Sequence, residues 1–132
     1  MMKELNIGHR VNFIGWVMHD DLPAIYRMAD LFSFPSRYEG FGIPLVEAMA
    51  CGCPIVTANT CAPPEVVDGA AVLVDPYDVP AIAEGMRKVL RDRSLRDKMI
   101  ARGLERAQDF SWDKCARQVL AVFDAVAGSN AG

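Results

Sequence analysis

The sequence predicts an α/β fold: a Rossmann-like parallel sheet with helices on both faces, followed by C-terminal helices. Three observations carry that prediction. Short, continuous apolar runs such as residues 31–34 and 71–74 have the composition of strands buried on both faces, as parallel strands are. Segments of helical periodicity separate these runs, the alternation expected of strand–helix–strand units. One run also leads through a glycine-rich turn, with Gly40 and Gly42, into a segment opened by Pro44. The fixed φ of proline suits the first residue of a helix, where its missing N–H is not needed.

In chain order, residues 3–7 read as the last turn of a helix, closed by Gly8 in the position that favours left-handed φ. VNFIGW at 11–16 is rich in β-branched and aromatic residues and reads as a strand that stops at Gly15 and Trp16. Asp20 or Asp21 can cap a short crossover helix whose apolar face is Leu22, Ile25, Tyr26 and Ala29. That helix delivers the chain to the strand at 31–34. After the helix at Pro44, residues 54–58 form a further strand, the turn-rich stretch 59–64 leads into a short helix at 65–67, and a fourth strand, 71–74, follows Gly69.

The remainder is helical. Asp78 caps a helix entering at Pro80 with Ile82, Met86, Val89 and Leu90 on one face. Ser94 and Asp97 resemble a capping box for the next helix. Ser111 caps a third, in which Trp112, Cys115, Val119, Val122, Phe123 and Val126 recur at helical spacing and read as core. Residues 128–132 have the composition of a disordered end, which leaves 1–127 as one domain.

Composition narrows the function. With 132 residues, 52% hydrophobic and 23% charged, the chain can build one core and hardly two. A net charge of −3, with Arg87, Lys88, Arg91 and Arg93 interleaved with acids, argues against a nucleic-acid partner. No apolar run reaches the roughly 18 to 20 residues needed to cross a bilayer, so no transmembrane segment is expected. The N-terminus lacks a charged-then-apolar signal pattern, and the expected location is cytoplasmic. The C-x-C of Cys51 and Cys53 lacks the spacing of common zinc sites, and neither His9 nor His19 pairs with it. Reduced core thiols and no bound metal are the expectation.

The chemistry concentrates in residues 37–54, RYEGFGIPLVEAMACGCP. The first turn of a helix leaves backbone N–H groups without intrahelical partners and carries the positive end of the helix dipole, which suits a diphosphate. Gly40 and Gly42 allow a ligand close to the backbone of Gly40, Phe41, Gly42 and Ile43. Glu39 and Glu47 would repel phosphates but can accept hydrogen bonds from the hydroxyls of a sugar or a ribose.

EGFGIPLVEAMACGCPIV resembles the E-x7-E signature of retaining, GT-B type, family 4 glycosyltransferases, in spacing as well as residue type. FSW at 110–112 and VDP-D at 74–78 resemble the family's tail, so the likeness runs from 11 to about 126. The resemblance implies that Glu39 contacts hydroxyls of the donor sugar as the catalytic residue, that Glu47 holds ribose hydroxyls, and that the amides of Phe41 to Ile43 lie against sugar and diphosphate. It also implies that the chain corresponds to the C-terminal, donor-binding half of a GT-B enzyme without its first two strands.

The implied reaction is transfer of a sugar from a nucleotide diphosphosugar with retention of configuration. Asp20–Asp21 and Asp75/Asp78 lack D-x-D spacing, and no metal is expected. The acceptor-binding half and the cations that neutralise the diphosphate would come from another domain or chain, so the chain alone is expected to be inactive and a full-length enzyme to be peripheral to a membrane. A nucleotide-sugar binding module without transfer activity, or an inactive fragment, is the alternative. In a 3-2-1-4-5-6 sheet the missing strands lie between VNFIGW and the strand at 31–34. Either those two segments pair directly, or the chain self-associates through the open edge and the stripe of the last helix. Of hydroxyls in the 57–65 region, Thr60 is the one considered for a phosphate contact.

Overall fold

The computed structural model describes residue 2 and residues 4–129. Among these, three strands, β1 (Phe32–Phe34), β2 (Ile55–Ala58) and β3 (Val72–Val74), form a parallel sheet in the order β1-β2-β3. Six α-helices accompany them: α1 (Leu22–Met28), α2 (Ile43–Ala50), α3 (Pro63–Val67), α4 (Val79–Arg91), α5 (Arg93–Ala107) and α6 (Trp112–Ser129). Phe32 stands opposite Ile55, and Val56 opposite Val72. Parallel neighbours need a crossover, and α2 and α3 supply the two here.

Both faces of the sheet are covered, as its continuous apolar strands require. Successive side chains of β2 point to opposite faces. Ile55 enters a cluster with Tyr26 of α1, Leu45, Ala48 and Met49 of α2, and Val66 and Val67 of α3. Val56 joins Val74, Val89 of α4 and Met99 of α5. The second layer is tight: a Cβ on Gly85 would come within 2.8 Å of Val74 Cγ1.

Predicted strands at 31–34, 54–58 and 71–74 are found within a residue of their expected starts. The strand predicted at 11–16 is not. These residues form no ladder, and Phe13 and Trp16 are 77% and 81% exposed. An extended run becomes a strand only when another strand satisfies its N–H and C=O groups, and among the described residues β1 pairs with β2 alone. Direct pairing of 11–16 with β1 is therefore overturned.

Several end signals also differ. Residues 4–6 form turns instead of a helix end, and Asn6, at φ 51°, takes the left-handed conformation expected of Gly8, which opens a 3-10 turn, Gly8–Arg10. Lys3 lies outside the described residues. Neither Asp20 nor Asp21 caps α1 through its side chain, because a 3-10 turn at His19–Asp21 runs directly into the helix. Asp78 caps α4 as expected, accepting from Ala81 N at 3.0 Å. For α5 the cap is Asp92, accepting from Leu95 N at 2.9 Å, and Ser94 is the second helical residue. Leu90 is exposed, whereas Ile82, Met86 and Val89 pack in the core.

Ser111 caps α6, accepting from Lys114 N at 3.1 Å. The apolar stripe of that helix, read as core, is exposed instead: Trp112 is 80% exposed, Phe123 65%, and Cys115, Val119, Val122 and Val126 are exposed as well. Periodicity marks one face of a helix as apolar without specifying what covers it, and no α6 residue joins either core cluster. Gly128 and Ser129 belong to α6, so the predicted disordered end does not begin at 128; residues 130–132 lie outside the described residues.

Candidate functional site

Parallel strands all end on one side, so the loops after β1, β2 and β3 share a rim of the sheet. Their contacts show it. Cys61, after β2, brings its Sγ to 4.0 Å from the Arg37 carbonyl, after β1. The Arg37 guanidinium lies 5.0 Å over the ring of Tyr77, after β3. The stretch singled out in the sequence is the first of these loops together with α2.

Gly42 is the N-cap of α2, and Pro44 is its second residue. Gly42 sits at φ 96°, ψ 56°, and a Cβ there would stand 3.0 Å from Leu45 Cδ1, so the turn requires glycine. Leu45 N–H is spent on the Gly42 carbonyl at 2.9 Å. Among the described residues, the N–H groups of Gly40, Phe41, Gly42 and Ile43 donate to no protein acceptor. Four consecutive backbone donors thus lie without a protein partner at the positive end of α2. The loop is held in place from the end of α5: Phe41 meets Phe110 edge-on at 5.6 Å, and Arg106 lies 4.7 Å over the Phe110 ring while donating to the carbonyls of Glu65 and Val66.

Glu39, in that loop, and Glu47, on α2, are both half-buried. Glu47 faces α1, where Tyr26 Oη donates to its Oε2 at 3.1 Å. The pair forms part of the wall of a cavity of about 210 Å³ completed by His19, Leu22, Pro23, Ala50 and Cys51. Glu39 is not in that wall. Burial, followed by the hydrogen bond to and the charge of Glu47, pushes the Tyr26 phenol far above its ordinary value, so at neutral pH it is a donor. Tyr26 is the functional candidate that sequence reasoning missed. Its spacing marks it only as part of the apolar face of α1, and 21 residues separate it from its partner.

The thiols and hydroxyls near the rim are less suited to ligands. Thr57 Oγ1 is committed to the Phe34 carbonyl at 2.9 Å. Thr60 Oγ1 is shielded from solvent and has no partner, so it is not presented to a phosphate in this conformation. All four cysteines are unpaired; Cys53 is buried and Cys51 partly so, but Cys61 and Cys115, expected in the core, are exposed. Among the described residues, no three His, Cys, Asp or Glu side chains converge as metal ligands, and no helix is long and apolar enough to cross a membrane.

Comparison with known proteins bears on this site. A family model described as "Glycosyl transferases group 1" matches residues 1–106. The chain is 43% identical over 113 residues to an O-antigen chain mannosyltransferase B of Escherichia coli, covering 86% of this chain and 30% of that protein. Its fold superposes on sucrose-phosphate synthase from Thermosynechococcus elongatus with a TM-score of 0.87 at 31% identity, over 97% of this chain and 33% of the other. It superposes equally on Anabaena HepE, solved in complex with UDP-glucose, with a TM-score of 0.85 at 26% identity over 94% and 35% of the two chains. The chain therefore spans about a third of the length of these proteins.

Proposed function

Because this chain belongs to the group 1 glycosyl transferases, with the α/β fold of GT-B enzymes, we propose that the rim after β1 binds a nucleotide diphosphosugar and presents its sugar for transfer with retention of configuration. In this reading the amides of Gly40, Phe41, Gly42 and Ile43 receive the diphosphate and the sugar, Glu39 accepts from hydroxyls of the donor sugar as the catalytic residue, and Glu47 holds the ribose. One observation carries the proposal: four consecutive unpartnered backbone donors at the start of α2, on a stretch of chain that also carries the half-buried Glu39 and Glu47. Donors fixed by the fold stabilise charge developing on a leaving diphosphate without reorganising, the kind of term that dominates many enzymatic rate enhancements. The complex of Anabaena HepE with UDP-glucose supports a donor of this class.

The proposal includes three further elements. Donor binding needs no divalent metal, since amides and cations neutralise the diphosphate. Transfer requires an acceptor-binding half beyond the third of the relatives' length spanned here. The protein works in the cytoplasm, peripheral to a membrane in the full-length enzyme, a location supported by its four unpaired cysteines.

Titration calorimetry with UDP, GDP and inorganic pyrophosphate, with EDTA and with magnesium, tests this reading. Removing a charged hydrogen-bond partner costs roughly 1.5 to 3 kcal/mol, so Glu47→Ala is expected to weaken nucleoside diphosphates by about one to two decades and to leave pyrophosphate nearly unchanged. Equal losses for both ligand types would mean that Glu47 does not read the ribose. A strict magnesium requirement would overturn the metal-free element.

A further inference from the structure

We propose that Tyr26 is a positioning residue for donor binding, fixing the Glu47 carboxylate so that one oxygen is turned to the ribose. This rests on the donor-binding reading of Glu47 and deepens it. Glutamate on a helix has three side-chain torsions, and a free carboxylate on such a stem must be ordered each time a ligand binds. Here the ordering is done in advance. Tyr26 Oη donates to Oε2 at 3.1 Å, and among the described residues Oε1 has no hydrogen bond and is free to accept from a hydroxyl.

The tyrosine is itself held by packing. Tyr26 is 9% exposed within the cluster under β2, and its ring meets Phe32 of β1 edge-on at 5.3 Å with the planes at 87°. The hydroxyl is therefore referenced to the sheet, and through Glu47 so is the carboxylate on α2. The donor is also the right kind: a phenol that stays protonated well above neutral pH cannot repel the carboxylate. A second-sphere hydrogen bond of this sort orients a ligating group without touching the ligand.

Tyr26→Phe deletes only the hydroxyl and keeps the ring contacts, and the carboxylate it leaves is half-buried beside an open cavity that water can enter, so the variant is expected to fold and its ligand-free thermal unfolding to stay close to that of the parent. Calorimetry on the full chain, with UDP, 2′-deoxy-UDP and inorganic pyrophosphate as probes, compares the parent, Tyr26→Phe, Glu47→Ala and the double variant. Tyr26→Phe is expected to weaken UDP roughly threefold to tenfold, to leave pyrophosphate unchanged, to bring UDP and 2′-deoxy-UDP closer together, and to add nothing once Glu47 is alanine. A purely structural tyrosine would weaken UDP and pyrophosphate alike, or would add its loss to that of Glu47→Ala, and either result overturns the inference. If Glu47→Ala itself leaves UDP binding intact, the ribose reading fails and this inference fails with it, an outcome distinct from loss at Glu47 without loss at Tyr26.

Discussion

Tyr26 and Cys53 share a cause that gives the protein a pH signature. Burial raises the Cys53 thiol above its ordinary 9.0, and burial, then Glu47, raises the Tyr26 phenol above its ordinary 10.0. In both cases the folded value lies above the unfolded one, so as pH rises the unfolded chain releases these protons first. The stabilisation is complete below the unfolded values and is lost as pH climbs from about 9 through the folded values. Urea unfolding is expected to give constant stability between about pH 7 and 8 and a decline beginning near 9. The part of the decline above about pH 10 should shrink in Tyr26→Phe. An unchanged slope in that variant would place the alkaline sensitivity elsewhere.

At the scale of elements, the junction between α4 and α5 turns on one residue. Asp92, at φ −99° and ψ 97°, ends α4 and begins α5, and its carboxylate meets Leu95 N at 2.9 Å. Asp92→Ala should therefore lose about 1 kcal/mol, the usual worth of an N-cap, while Ser94→Ala, an exposed change inside the first turn, should stay within about 0.5 kcal/mol. Chemical denaturation of both variants checks this, and the reverse ranking would restore Ser94 as the cap. In the sequence Ser94 with Asp97 resembles a capping box, and Asp92, two residues earlier, carries no such pattern. In the structure Asp92 takes the extended N-cap conformation, between the helix that carries Val89 and the one that carries Met99, both packed with Val56.

At the scale of the molecule, two apolar surfaces have no cover among the described residues: the stripe of α6, with Trp112 and Phe123, and the segment with Phe13, Ile14 and Trp16. Contiguous apolar patches of this kind are uncommon on monomers and associate when free. The isolated chain is expected to self-associate with rising concentration in static light scattering, and Phe123→Glu, which places a charge in the middle of the stripe, is expected to reduce it. Scattering that stays monomeric over the whole concentration range would show that neither surface drives association.

The sequence by itself determined the three strands, the glycine-rich turn, the helix entered through Pro44 and the family, because each is recorded within a short window. Continuous apolar runs mark buried parallel strands, and the fixed φ of proline marks the start of a helix, whereas the left-handed N-cap at Gly42 came from the structure. Only the tertiary structure decided that VNFIGW is not a strand, that the α6 stripe faces outward, and that Tyr26 holds Glu47. Each of these depends on what stands across a gap from the residue: a neighbouring strand, a covering surface, a carboxylate 21 positions away. Side-chain periodicity says which way a residue points, and only packing says what it meets.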